Sequence, residues 1–172
     1  MSTSSPASRI QAKLQELFEG KITSGDAYIK FKLTSEITAL LSRNQVQESL
    51  IVEAAKITPL PSMPKYTIGM INSRDRVFCI FDLAQLLNLP TVLITPNQYQ
   101  IIVLQTTGES SISVGFAVMG LQGIIRLTSQ QILSANSDVV NSSLASFVSG
   151  VVQQETTMMV LELANIVQAL QA

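Results

Sequence analysis

Ten consecutive residues of this chain occur twice. Phe78-Cys79-Ile80-Phe81-Asp82-Leu83-Ala84-Gln85-Leu86-Leu87 aligns without a gap with Met158-Met159-Val160-Leu161-Glu162-Leu163-Ala164-Asn165-Ile166-Val167, each position identical or a near equivalent. Upstream, Gly150-Val151-Val152 echoes Gly69-Met70-Ile71, with one residue fewer before the strand. Each copy reads as an apolar strand, an acidic residue and a short apolar helix. Asp82 is of the type that caps a helix, and Leu83, Leu86 and Leu87 follow at helical spacing. Two copies are too few for a solenoid, which needs at least three. The repeat predicts two similar half-units sharing one core.

The first copy is preceded by a hairpin signal. Apolar runs at 68–71 and 77–81 flank the polar connector 72–76, whose Asn, Ser, Asp and Arg suit a tight turn. Both runs are apolar at nearly every position, which predicts burial on both faces. The arginine pair at the tip, Arg74 and Arg76, is expected to be displayed. Arginine is enriched in binding hot spots, so this pair is the sharpest polar signal in the chain.

Composition narrows the class. In 172 residues, one domain is expected. The chain is 47% hydrophobic and 13% charged, about half the usual charged share. Such a surface is either buried or covered by partners. No apolar run reaches ~18 residues and the first ten hold no apolar segment, so neither a transmembrane helix nor a signal peptide is expected. A net charge of −1 argues against nucleic acid, which requires a dense basic face. There is no histidine and one cysteine, Cys79. That removes the usual general base and zinc ligand, and the lone thiol in an apolar strand reads as core packing in a reducing cytoplasm.

Along the chain, 1–7 reads as disordered, and 9–19 as an amphipathic helix with Ile10, Leu14, Leu17 and Phe18 on one face. It packs either on the domain or on a partner. Strands are expected at 27–33, 37–41, 46–52, 68–71, 77–81, 100–106, 112–118, 121–127, 147–152 and 157–161. Three prolines make 57–64 an extended loop unable to form a ladder. Residues 91–98 form a connector, 108–111 a turn, and 128–145 a long surface loop with a helical turn. A helix over 162–170 closes the chain. Many short strands with frequent turns suit small barrels or a sandwich.

Catalytic signatures are missing. No GxxxxGK phosphate loop, no Asp-x-Asp pattern and no Ser-Lys motif occurs. The reading is a non-enzyme without metal or cofactor.

The order Tyr28-x-x-Phe31-x-Leu33, Val46-x-Glu48, Leu60-Pro61-x-Met63-Pro64-x-Tyr66-x-x-Gly69-x-x-Asn72-x-Arg74, Phe81-Asp82-Leu83 resembles the CheW-like domain. Val114-Gly115-Phe116-x-Val118, Gly150 and Leu161-Glu162-Leu163 extend the resemblance to nearly the whole chain. It implies a mainly β fold of two intertwined five-stranded SH3-like barrels. The expected division is a 1–26 extension, a first barrel mainly over 27–95, a second mainly over 96–160, and the closing helix. It implies a non-enzymatic cytoplasmic adaptor at membrane-associated receptor arrays. Its partners would be the CheW-like regulatory domain of a CheA-type histidine kinase and the cytoplasmic tip of a methyl-accepting chemoreceptor, the latter held in a groove between the barrels.

By motif position, Val46, Glu48, Gly69 and Arg74 match family positions linked to these contacts. Met70 and Asn72 join them as expected partner-binding residues. The N-terminal extension and Ser/Gln-rich loops look like the PilI/PixI adaptors of cyanobacterial twitching motility or phototaxis. Two departures stand out. Asp75 replaces the family's usual glycine, implying a changed turn or an Asp in the left-handed region. Met119 replaces a family carboxylate. The alternatives are a small-barrel nucleic-acid-binding module or a stand-alone regulator without receptor contact.

Overall fold

The computed structural model describes residues 10–11, 25–90, 93, 96–105, 111–134 and 144–171. Ile10 and Gln11 are helical. The rest of the expected 9–19 helix lies outside the described residues, as do half of the 91–98 connector, most of the 108–111 turn, and 135–143.

The strands are β1 (Asp26–Lys32), β2 (Thr38–Ser42), β3 (Val46–Glu53), β4 (Thr67–Ser73), β5 (Arg76–Asp82), β6 (Gln98–Gln105), β7 (Ser113–Val118), β8 (Gly120–Leu127), β9 (Val148–Gln153) and β10 (Thr157–Leu161). Helix α1 (Leu83–Leu86) follows β5 and α2 (Leu163–Gln171) follows β10. Apolar–polar alternation or short apolar runs bounded by turns therefore located the strands, and the acidic cap located α1. The Asp82 carboxylate accepts the Gln85 N–H at 3.3 Å, as a capping residue should.

The strands form two five-stranded sheets, ordered β8-β1-β2-β10-β9 and β3-β6-β7-β5-β4. Each curls into a small SH3-like barrel. Moving every strand of one order five places along the chain gives the other order, so the duplication extends to all ten strands. The division expected from the sequence, 27–95 and 96–160, is corrected here. The first barrel takes β1 and β2 from one copy and β8, β9 and β10 from the other; the second takes the complement. Four pairings join strands of different copies: β1 with β8 and β3 with β6 are antiparallel, and β2 with β10 and β5 with β7 are parallel. Parallel neighbours need a long crossover: that from β5 to β7 passes through α1 and β6 of the same barrel, whereas that from β2 to β10 passes through all five strands of the opposite one.

The registers confirm the correspondence. Gly69 pairs with Ile80, and Gly150 pairs with Val160. Thr58 bridges Met70 in the first copy, and Leu133 bridges Val151 in the second. The Asp82 N–H donates to the Tyr66 carbonyl and the Glu162 N–H to the Phe147 carbonyl, both at 2.7 Å. The Thr58 bridge amends one expectation: the proline loop does make a ladder contact, at the last position before Pro59. There the Thr58 and Met70 N–H groups each donate to the other's carbonyl at 2.8 Å.

Three apolar clusters follow from this arrangement. One fills the first barrel around Leu40, Leu127, Val152, Met158 and Val160. Another fills the second around Val52, Ile71, Phe78, Ile80, Ile101 and Val103. The largest lies between the sheets and includes Phe31, Ala39, Leu41, Ile102, Leu104 and Phe116, with Leu83, Leu163 and Ile166 from the helices and Leu87 just after α1. Strands β2, β6 and β7 are thus covered on both faces, while β1 is buried on one and half-buried on the other, where Tyr28, Lys30 and Lys32 lie. The β4–β5 hairpin is not covered on both. Phe78 and Ile80 are buried, whereas Cys79 and Phe81 are half-buried and Val77 is 60% exposed. Burial on both faces fails because β4 is an edge strand and the shared core stops short of the hairpin tip.

Candidate partner-binding site

Ser73 and Arg76 pair across the hairpin end, leaving Arg74 and Asp75 as a two-residue turn. Their φ values are +51° and +63°. Two central residues in the left-handed region make a type I′ turn, whose twist matches that of the strands. Of the two alternatives for Asp75, the second holds, and Arg74 shares the conformation.

The turn brings both arginines to Glu48. A register shift between Val46 and Glu48 marks a bulge in β3, and bulges re-aim side chains at sheet edges. One Glu48 carboxylate oxygen meets Arg74 Nη1 at 3.1 Å; the other accepts from Arg76 Nη2. Arg76 Nη1 also donates to Ser113 Oγ at 3.3 Å, and Ser113 Oγ to the Gln47 amide oxygen at 3.3 Å. The Glu48 side chain is 15% exposed and that of Arg74 is 75% exposed. Arg74 is displayed as expected. Arg76 is not: it is half-buried and anchored on two sides. The sequence reading missed Gln47 and Ser113, polar residues with no motif around them. Their signal lies only in the bulge and in the strand neighbours.

The remaining expected residues fall in two places. Val46, 6% exposed, and Glu48 line a cleft of about 330 Å³ between the edge strands β3 and β8. Ile29, Leu121 and Ile124 complete its apolar wall, and Arg43 stands on the rim. Leu121 and Ile124 were also missed, because nothing in sequence places β8 opposite β3. Met70 and Asn72 lie on the outer face of the hairpin, opposite Cys79 and Val77. Met70 is half-buried and Asn72 exposed.

Gly69 presents no surface. It is buried, and a Cβ there would stand 2.4 Å from the Thr58 carbonyl oxygen and 2.7 Å from the Ile57 side chain. Its residue type is required by the close approach of the proline loop.

Burial raises the Cys79 thiol above its ordinary pKa, which favours the neutral form. Burial, and secondarily the Asp82 charge, raises Tyr99 likewise. Among the described residues, no three His, Cys, Asp or Glu side chains gather into a metal-binding group. No described helix is long and apolar enough to cross a membrane.

Comparison with known proteins places this arrangement. A family model described as "CheW-like domain" matches residues 27–171. The chemotaxis protein CheW of Thermotoga maritima is 30% identical over 83 residues. That stretch is 48% of this chain and 52% of the relative, so the match spans about half of each. The crystal structure of the scaffolding protein TtCheW from Thermoanaerobacter tengcongensis superposes with a TM-score of 0.67 at 19% identity, covering 80% of this chain and 89% of that one. At that identity the superposition speaks to the fold. Two strand-exchanged SH3-like barrels, a family match over nearly the whole chain and a chemotaxis relative agree: this chain belongs to the CheW-like domain family.

Proposed function

We propose that the chain is a non-catalytic adaptor that couples the tip of a methyl-accepting chemoreceptor to a CheA-type histidine kinase. The observation that carries this reading is the cleft between β3 and β8. Its apolar wall, Val46, Ile29, Leu121 and Ile124, is rimmed by Arg43 and Glu48. An apolar groove with a charged rim suits a helical segment laid lengthwise, and a chemoreceptor tip is a helical hairpin. The outer face of the β4–β5 hairpin, with Met70, Asn72 and exposed Arg74, is the proposed contact for the kinase's CheW-like regulatory domain.

In this role the protein makes and breaks no bonds. Receptor state alters kinase activity through the coupling free energy of a three-component complex. Glu48 holds Arg74 in register, and charge pairs of this kind set specificity and orientation. The N-terminal extension supports the PilI/PixI subtype, serving twitching motility or phototaxis, with the protein cytoplasmic at receptor arrays.

The test is capture of the purified kinase regulatory domain and of a receptor-tip fragment by the full chain. Val46→Lys is expected to abolish receptor capture and leave kinase capture intact. Arg74→Ala is expected to weaken kinase capture by about 1–3 kcal/mol. Undiminished capture by both variants would defeat the proposal.

A further inference from the structure

The duplication supplies an internal control for the cluster around Glu48. The registers equate Ser113 with Thr38, since Ser113 pairs Gln105 in one barrel and Thr38 pairs Lys32 in the other. They equate Glu48 with Gly123, paired to Val103 and to Lys30 respectively. Gln47 and Gln122 are the unpaired residues at the two corresponding bulges. Arg76 corresponds to Thr156 by the same offset that relates β5 to β10. The second barrel thus closes this position with Glu48, Arg76, Ser113 and Gln47. The first barrel carries Gly123, Thr156, Thr38 and Gln122 there. The ion pair is gone, and a cleft of about 330 Å³ opens in its place.

The cleft is not left neutral. Val103 and Gln105 of the second barrel correspond to Lys30 and Lys32, and both lysines line the opening. Across the strand pair each is opposite a glycine on β8, Gly123 and Gly120, so no side chain from those two positions reaches the lysines. Neither lysine is ion-paired among the described residues; both ion pairs belong to Glu48. Glu155 stands exposed on the rim without bonding either one. The counterpart mouth has two guanidiniums and their carboxylate. This mouth has two ammonium groups, of which that of Lys32 donates to the Ser35 carbonyl at 3.5 Å, one rim carboxylate, and space.

We propose that the mouth of the first barrel binds a small phosphoryl-bearing anion. The donor set decides the class. Lysine is a point charge that recurs in phosphate sites, and neither position offers the planar guanidinium fork that grips carboxylates and phosphates bidentately. Gln122, Gln154 and Thr156 add amide and hydroxyl donors around the opening. The volume lies at the low end of small-molecule sites, ~300–1,000 Å³. The occupant is therefore one or two phosphoryl groups on a small body. The site is separate from the β3–β8 cleft and independent of the adaptor reading.

The experiment is calorimetric titration of the full chain with inorganic pyrophosphate in about 0.15 M salt, where diffuse surface attraction is screened. Saturable binding is expected. Lys30→Gln with Lys32→Gln should weaken it by about tenfold or more. Gln122→Glu, an isosteric change at an exposed position, should weaken it similarly by placing a carboxylate in the mouth, and it keeps the test decisive if the double variant misfolds. Lys56→Gln with Lys65→Gln, exposed lysines elsewhere, should leave it unchanged. Citrate should bind far more weakly than pyrophosphate. The proposal is overturned by the absence of saturable binding, by equal weakening in the Lys56/Lys65 variant, or by citrate binding as tightly as pyrophosphate.

Discussion

Arg74 and Glu48 meet at 3.1 Å, joining the tip of one hairpin to the edge strand β3 at the far side of the same sheet. The two residues are unequal partners. Arg74 is largely in solvent, whereas Glu48 is mostly covered and also holds Arg76. The exposed guanidinium is therefore free to exchange its carboxylate for one on a partner. The covered carboxylate keeps the second arginine fixed while that happens.

This asymmetry predicts different costs. Arg74→Ala removes one exposed ion pair, worth about 0–1 kcal/mol of stability. Glu48→Ala strips Arg76 of its counter-charge in a half-buried position and should cost about 1–3 kcal/mol. Urea unfolding of the two variants checks the order. Equal losses would mean that Arg76 is satisfied without Glu48.

The turn itself stores strain. Left-handed backbone costs a residue with a side chain about 1–2 kcal/mol, less for Asp, and Asp75 sits at φ +63°. Asp75→Gly should raise the unfolding free energy by about 0.5 kcal/mol after glycine's larger chain entropy is counted. A lower urea midpoint would contradict the left-handed assignment.

Local structure was legible in the sequence; partnership between distant strands was not. Alternation at β1, and apolar runs bounded by turn residues elsewhere, located the strands, and Asp82 announced α1, because these signals are carried by neighbouring residues. The repeat of 78–87 at 158–167 disclosed two copies, yet it left open which copy's strands pair. Strands with the same apolar pattern pair equally well within a copy or between copies, so the pattern could not reveal that β10 docks on β2 and β5 on β7. For the same reason Val46 and Glu48 were singled out without Leu121 and Ile124, which reach them only through the exchange. Gly69 is an expected partner-binding residue by motif position; in the fold it is buried, and Ile57 and Thr58 of the proline loop account for its residue type sterically.

The equivalent glycines offer a graded test. A Cβ on Gly69 would press on the Thr58 backbone carbonyl at 2.4 Å, whereas on Gly150 the nearest atom is the Ile132 side chain at 2.5 Å. Backbone yields less readily than a side-chain methyl. Gly69→Ala should cost about 2–3 kcal/mol and Gly150→Ala about 1–2 kcal/mol. Thermal or urea unfolding ranks them, and the reverse order would sink this steric account.

Cys79 reports on the same hairpin chemically. Its pKa is raised by burial, so the folded state favours the neutral thiol. That contribution to stability is complete below the thiol's unfolded pKa and is lost as pH rises through the higher folded value. The rate of iodoacetamide labelling against pH, from about 7 to 10, should rise at higher pH in the native protein than in the denatured one. Because Cys79 lies opposite Met70, saturation with the kinase regulatory domain should slow labelling further. Unchanged labelling in the complex would remove this face from the proposed contact.

Strand exchange predicts how the molecule unfolds. Each barrel draws two strands from one copy and three from the other, so neither can lose its strands without opening its neighbour. Leu40 lies in the interior of the first barrel and Ile80 in that of the second, both fully buried. Truncating either to alanine should cost about 2–5 kcal/mol. Each should shift a single urea transition, read identically by far-ultraviolet circular dichroism and by intrinsic tyrosine fluorescence. A chain consisting of residues 25–97 holds β1 and β2 without β8, β9 and β10, and should remain unfolded. Two transitions moved separately by Leu40→Ala and Ile80→Ala would show barrels that fold as independent units, and a folded 25–97 fragment would contradict the pairing of β2 with β10.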